Sequence, residues 1–355
     1  MTTSDRLRVA VVGLGVGAAH ADGFRRLPDD YEIVVAADPD ASRVEFVQSF
    51  TDAAAASSLD EVLARDDLDV VSLATPPFLH LDQVRAVLRA GAHVICEKPL
   101  VGSLAQVDEL AGIEAETGRW VMPIFQYRYG RGLQKLLHLI DAGVTGRCHT
   151  VSVDVSWRRR PEYYEVAWRG KHATELGGIL LSHCVHALDM VTLAVGQPVR
   201  AFARTTTRVN DVETEDCASV SLELADGGFA TMSATLGSPA EISRHRFCFE
   251  RLSAESNTAA YENHREPWMF TADSDDDQAA IDEALATFEP GPELYKGQFA
   301  QLAEAVRAGK RPPVTLADAR SSLELLTALY WSADQGVDVA LPIEDAHDFY
   351  GGWQP

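Results

Sequence analysis

The stretch 7-LRVAVVGLGVGA-18 decides how the first third of the chain folds. Its apolar run up to Gly13 has the pattern of a strand buried on both faces. The chain then meets 13-GLGVGA-18 and turns helical. Gly13 allows the tight turn, and Gly15 lets backbone N–H groups approach a pyrophosphate, with Val16 beside it in the turn. Ala18 takes the third small position, where helix and strand pack closely. The helix start offers unpaired amides to an anion. A short signal peptide is also apolar and ends in small residues, but the alternate glycines and the weakly basic residues before them favour the nucleotide turn.

The next strand, 32-EIVVAAD-38, ends in an acid. A carboxylate at Asp38 can accept both ribose hydroxyls of a dinucleotide and would repel a 2′-phosphate, so NAD is favoured over NADP. Further apolar runs at 69-DVVSLA-74, 93-HVIC-96 and 120-WVMPIF-125 alternate with amphipathic stretches such as 78-FLHLDQVRAVLRAG-91. That alternation predicts a parallel sheet covered on both faces, a Rossmann domain over residues 1–125.

The remainder, 126–355, changes character. After one long helix near 176 to 195, strand-like runs at 199–208, 217–224, 228–236 and 244–252 follow with no helix between them. With 149-HTVSVDVSW-157 and a hairpin around 225-ADGG-228, they predict an α+β domain on a predominantly antiparallel, open-faced sheet, used for substrate binding and oligomerisation. Two helices, 294 to 308 and 315 to 335, close the chain. From 273 to 293 there are eight acidic residues and no basic one, which reads as a solvated acidic loop.

The composition narrows the function. The 355 residues carry 31 Lys and Arg against 53 Asp and Glu, a net charge of −22. Such a surface repels phosphate backbones and anionic lipids, so neither nucleic acid nor membrane is expected as a partner. The five cysteines form no C-x-x-C pair, and free thiols in a reducing, cytoplasmic compartment are expected.

Glu97-Lys98-Pro99 ends one of the parallel strands, where open α/β sheets bind their ligands. Proline cannot continue a central strand, so the chain turns there and presents the lysine. A second constellation is 177-GGILLSHCVHALD-189. On a continuous helix Ser182, His186 and Asp189 fall on one stripe, with His183 on a neighbouring face. Histidine is a natural acceptor for the proton of a hydroxyl losing hydride. No metal is expected, because the spacing supplies no obvious further ligand.

Together, Gly13-x-Gly15, Glu97-Lys98-Pro99, Gly177-Gly178, His186 and Asp189 resemble the glucose–fructose oxidoreductase and inositol dehydrogenase family (Gfo/Idh/MocA). The resemblance covers nearly the whole chain. It implies that Lys98 and His186 are catalytic and that Glu97 helps fix the Lys98 loop. It also implies that Thr75, Pro76 and His80 of 75-TPPFLH-80 line the nicotinamide side, with Glu97 and Lys98, and that Arg128 and Tyr295 lie near substrate. One departure matters: the family often has Asp-x-Gly-x-His in the helix, and here Ser182 takes the aspartate's place.

The segment 157-WRRRPEYYEVAWRGKH-172 is the most basic and aromatic of this acidic chain. Its rings suit the C–H face of a sugar and its guanidiniums suit hydroxyls or an anionic group, Trp168 and Arg169 being preferred, together with Ser182, His183 and His186. The expected function is NAD-dependent oxidation of a secondary hydroxyl of a sugar, cyclitol or sugar derivative. The alternatives are a redox-neutral glycoside-cleaving enzyme working by oxidation and elimination, and a non-catalytic dinucleotide-binding homologue. An open-faced sheet is best covered by another copy, so a homodimer or homotetramer is expected.

Overall fold

The structure is a computed structural model, and it describes residues 6–353. The chain divides into two compact units: residues up to Gln126 with Pro292–Arg320, and Tyr127–Gly291 with Ser321–Pro355.

In the first unit, strands β1 (Leu7–Val12), β2 (Tyr31–Ala37), β3 (Ala54–Ala56), β4 (Val70–Leu73), β5 (His93–Cys96) and β6 (Val121–Pro123) form one sheet. All its pairings are parallel, in the order β3-β2-β1-β4-β5-β6. Helices α1 (Gly17–Arg25), α2 (Ala41–Gln48), α3 (Leu59–Leu63), α4 (His80–Arg89) and α5 (Leu104–Thr117) make the connections. Every residue of β4 and β5 is buried, as expected of strands covered on both faces. The strand order reverses between β1 and β4, which opens a crevice outside the carboxyl ends of the strands. Those ends carry Gly13, Asp38, Thr75 and Glu97.

In the second unit, α6 (Arg131–Asp141) leads to β7 (Cys148–Arg158), and three helical pieces follow: α7 (His172–Glu175), α8 (Ile179–Ser182) and α9 (Val185–Val195). Then come β8 (Pro198–Thr206), β9 (Cys217–Leu224), β10 (Phe229–Thr235), β11 (Gly237–Phe249), β12 (Leu252–Glu255), β13 (Met269–Ala272) and α10 (Asp275–Ala286). The sheet has eight strands in the order β13-β12-β11-β7-β10-β9-β8-β14, where β14 is Val339–Ala340. The pairing of β10 with β7 is parallel, and the other pairings are antiparallel. Alternation along β7, β9 and β10 buries Val151, Val153, Val155, Val220, Leu222, Ala230 and Met232 on one face. The opposite face presents Ser152, Ser219, Ser221, Thr231 and Ser233. The 225–228 turn joins β9 to β10 as an antiparallel hairpin.

Three expectations need correction. A single second domain from 126 onward is interrupted, because α11 (Leu294–Arg307) returns to the first unit. There Phe299 stacks on Phe24 at 4.1 Å, and its carbonyl accepts from the Tyr31 hydroxyl at 2.8 Å. The following helix, α12 (Leu316–Gln335), runs from the first unit into the second. Next, the acidic stretch is not a loop throughout: Asp275–Ala286 is helical. Ser274 caps it by accepting from the amide of Asp277 at 3.2 Å, and Asp275, Asp276 and Asp277 fill its first turn, where the helix dipole favours negative charge. Finally, the long helix expected near 176 to 195 is broken at His183–Cys184. Among the described residues no single helix is long and apolar enough to cross a membrane.

Candidate active site

The nucleotide turn meets its physical requirements. Gly13 has φ of +82°, and a Cβ there would lie 2.7 Å from the carbonyl oxygen of Ala74. At Gly15 the nearest atom to an added Cβ is Arg43 Nη1, at 3.7 Å, so the backbone is open to a ligand. No side chain caps the start of α1, and its first amides remain available to a pyrophosphate. Val16 is the exposed N-cap residue. Asp38 is buried; its Oδ2 accepts from the amide of Leu14 at 2.7 Å and its Oδ1 from that of Asp40 at 2.9 Å. A carboxylate has further lone pairs, so Asp38 can brace the turn and still accept ribose hydroxyls. These residues fit a dinucleotide.

The Glu97-Lys98-Pro99 loop is held by a buried network at the end of β5. Glu97 Oε1 receives His20 Nε2 at 3.1 Å and the Tyr295 hydroxyl at 2.9 Å. Its Oε2 accepts from the amide of Lys98 at 3.0 Å. With His20 Nε2–H donating, its Nδ1 accepts from Ser72 Oγ at 2.8 Å. His80 Nδ1 lies 2.9 Å from the carbonyl of Pro99 and Nε2 lies 2.9 Å from that of Thr75. Burial pulls the His80 pKa down, and the two carbonyls oppose that shift. Thr75 Oγ1 donates to Gln83, and Pro76 leads into a 3-10 turn over Pro77–Leu79. Lys98 is half-buried within this brace. Tyr295 therefore supports Glu97, and sequence reasoning missed His20 and Ser72, which reach Glu97 only through the fold.

In the second unit, His186 is buried, and its ring stacks on Tyr127 at 4.5 Å and 23°. Tyr127 stacks in turn on His264 at 4.0 Å. Burial, helped by Arg265 nearby, pulls the His264 pKa down to about 3, so the layer beneath Tyr127 stays neutral. Arg128 makes a two-pronged ion pair with Asp189, Nε to Oδ2 at 2.8 Å and Nη2 to Oδ1 at 2.6 Å. That pair anchors α9 three residues past His186, so Arg128 has a bracing task. His245 adds a second anchor, donating from Nε2 to the carbonyl of Ala187 at 3.0 Å.

Ser182, at the end of α8, finds a partner at the end of the preceding short helix α7. Its hydroxyl donates to Glu175 Oε1 at 3.1 Å, and Glu175 Oε2 accepts from the amide of Gly170 at 2.5 Å. A buried carboxylate thus stands behind Ser182. His183 is buried, with its Nε2 3.5 Å from the Tyr163 hydroxyl and its ring edge-on to Trp157. Trp168 and Arg169 are half-buried, with the Arg169 guanidinium 4.5 Å from the Trp168 ring.

Glu215 explains the Gly177-Gly178 pair. Its carboxylate accepts from the amides of Gly178 at 2.9 Å and Leu180 at 3.1 Å, and its carbonyl accepts from Ile179 at 2.8 Å. The Tyr330 hydroxyl donates to it at 2.8 Å. Burial pushes the Glu215 pKa up to about 7, against the pull of Tyr330 and the amides. A carboxyl raised this way contributes stability fully present below its unfolded value near 4.5 and lost as pH rises through about 7. Stability of the wild type is expected to fall by about 2–3 kcal/mol from pH 4.5 to 7.5 through this group. Denaturant titrations of wild type and Glu215→Gln across that range should show the difference between them shifting against the wild type by that amount, the buried histidines contributing alike to both.

Comparisons with known proteins agree with this architecture. The model described as "Oxidoreductase family, NAD-binding Rossmann fold" matches residues 7–125, and "GFO/IDH/MocA C-terminal domain" matches residues 133–255. The solved WlbA dehydrogenase of Bordetella pertussis, in complex with NADH and UDP-GlcNAcA, is 26% identical, with a TM-score of 0.84 over 96% of this chain and 100% of that one. D-xylose 1-dehydrogenase (NADP(+)) 2 of Haloferax volcanii is 28% identical over 80% of this chain and 84% of its own length. Inositol 2-dehydrogenase of Rhodococcus erythropolis is 33% identical over 41% of this chain and 43% of its own. Matches to most of the other curated relatives span about half to two thirds of their lengths. With both of its domain types matched in order, the chain belongs to the Gfo/Idh/MocA family of oxidoreductases, whose N-terminal domain is an NAD-binding Rossmann fold.

Proposed function

We propose that the protein is an NAD-dependent dehydrogenase that oxidises a secondary hydroxyl of a sugar, cyclitol or sugar derivative. The observation that carries this reading is the braced Glu97-Lys98-Pro99 loop at the carboxyl end of β5, held through Glu97 by His20 and Tyr295. A nicotinamide cofactor, when bound, supplies the hydride acceptor. Gly13, Gly15 and Val16 hold its pyrophosphate, Asp38 its ribose, and Thr75, Pro76 and His80 its nicotinamide side. The Lys98 ammonium orients the reacting hydroxyl and stabilises negative charge on its oxygen. His186 takes the hydroxyl proton at a ring nitrogen. Tyr127 and His264 fix the plane of that ring, and the Arg128–Asp189 pair fixes the helix that carries it. The carboxylate of Glu175 behind Ser182 supports a catalytic reading over a purely binding one, because the departure from the family motif leaves a carboxylate close by. Relatives named for xylose and inositol oxidation, and a fold neighbour holding a nucleotide-linked uronate, support the carbohydrate class.

Cofactor choice rests on Asp38. Arg43 Nη1 stands 3.6 Å from Asp38 Oδ2, half-exposed, and would meet a 2′-phosphate once the carboxylate is gone. Asp38→Ser is expected to lower kcat/KM with NAD about tenfold to a hundredfold while raising it with NADP. A variant that loses activity with both cofactors alike would show that Asp38 only supports the turn.

The polar outer face of the second sheet also exposes Phe229 and Met269, at 52% and 59%. We propose that a second copy covers this face. Light scattering behind size exclusion should give a dimer or larger, and Phe229→Glu should shift it toward monomer.

A further inference from the structure

Two guanidiniums in the second unit lie on the same tyrosine ring. Arg169 Cζ sits 3.9 Å from the Tyr163 ring centroid and Arg159 Cζ sits 4.7 Å from it. Arg159 also donates from Nη1 to the Tyr261 hydroxyl at 2.6 Å, and Tyr261 packs on Trp157 at 4.1 Å. Both arginines are half-buried, and the Arg159 Nε is buried with no hydrogen-bond partner. Among the described residues no carboxylate lies within ion-pairing distance of either guanidinium, although the chain has 53 acids and 31 bases. Two cations that act on each other across one ring, neither in a salt bridge, are unfavourable when partly desolvated. Burial lowers the pKa of Arg169, Arg159 adds to that, and Glu175 opposes it. Tyr163 ties the cluster to His183, whose Nε2 lies 3.5 Å from the Tyr163 hydroxyl, three residues before His186.

Such an arrangement is unexplained by folding alone and is suited to a ligand. Guanidinium forks match a planar carboxylate with paired hydrogen bonds, and the aromatic faces between them suit the C–H surface of a pyranose. Glu175 acts on Arg169, and Glu241 is linked to Arg159 through the Tyr261 hydroxyl, so part of the positive charge is already offset and a singly charged carboxylate suits the cluster better than a doubly charged phosphate. We infer that Arg159 and Arg169 are specificity-determining residues that select a sugar acid, a substrate carrying a carboxylate, over its neutral counterpart. The inference rests on the dehydrogenase reading for its placement beside His183 and His186, but its test is separable from that reading.

The test uses matched pairs: D-glucuronate with D-glucose, D-galacturonate with D-galactose, and UDP-N-acetylglucosaminuronate with UDP-N-acetylglucosamine. Binding is measured by calorimetry with NAD present, and turnover by reduced nicotinamide, for wild type, Arg159→Gln and Arg169→Gln. At least one acid is expected to bind about tenfold or more tighter than its neutral partner. In both variants that ratio should collapse toward one. Glucose 6-phosphate and a 6-sulfonated glucose serve as further arms. Equal or tighter binding of either would overturn the choice of carboxylate. Acid and neutral sugars bound alike, or variants that keep the wild-type ratio, would overturn the whole inference even where the neutral sugars are oxidised. Conversely, a retained preference for the acid with no turnover of any sugar would uphold the anion site and count against the dehydrogenase reading.

Discussion

Lys98→Ala and His186→Asn should each lower kcat/KM about a hundredfold to ten-thousandfold, with NAD binding retained. Asparagine keeps a polar side chain against Tyr127, so the His186 variant removes the proton acceptor with little loss of packing. The Lys98 effect should appear in kcat, because an ammonium that stabilises a developing oxyanion acts mainly in the transition state. Steady-state kinetics paired with calorimetric NAD titration check this. A variant that turns over like the wild type would remove its residue from the mechanism. Loss of NAD binding in the Lys98 variant would instead mark that residue as part of the cofactor cradle alone.

The second large effect concerns folding. A Cβ at Gly178 would lie 1.9 Å from the carbonyl oxygen of Glu215 and 2.7 Å from its carboxyl carbon. Those are backbone and buried atoms tied to Ile179, Leu180 and Tyr330, so little can move aside. Gly178→Ala should therefore destabilise the protein by about 3 kcal/mol or more, combining overpacking with broken buried hydrogen bonds. Gly112 is a matched control. It lies inside α5 with nothing within 4 Å of an added Cβ, so Gly112→Ala should stabilise by about 0.5–1 kcal/mol. Denaturant melts of the two variants measure both. A Gly178→Ala protein as stable as the wild type would mean that Glu215 does not lock the 177–180 turn.

The parts of the fold legible in the sequence were those encoded by neighbours along the chain. The Gly13–Ala18 turn, the acid at the end of β2 and the Glu97-Lys98-Pro99 turn each follow from strand, turn and helix patterns within a few residues. The β9–β10 hairpin followed from its turn residues. What stayed hidden depends on partners far apart in sequence. Glu175 meets Ser182 across the Leu176–Gly178 turn that separates α7 from α8, and Glu215, over thirty residues downstream, captures the amides that begin α8. His264 is brought onto Tyr127 by the segment between β12 and β13. Periodicity alone suggested a continuous stripe of Ser182, His186 and Asp189, and long-range capping overrode it. Charge density alone does not reveal the acidic helix α10, which forms through the Ser274 cap and the favourable place of aspartates in a first turn. The pairing of Arg128 with Asp189 likewise joins residues 61 positions apart.

The proposed reaction is hydride transfer from a carbohydrate hydroxyl to NAD. Its most direct test is to incubate the purified protein with NAD, then NADP, against sugars, cyclitols, uronates and glycosides, following the reduced nicotinamide band and product formation together. NADH is expected to form in step with a ketone product from one substrate class, with slower reaction with NADP. Glycoside cleaved without net NADH, or bound NAD with no reaction across the panel, would contradict it.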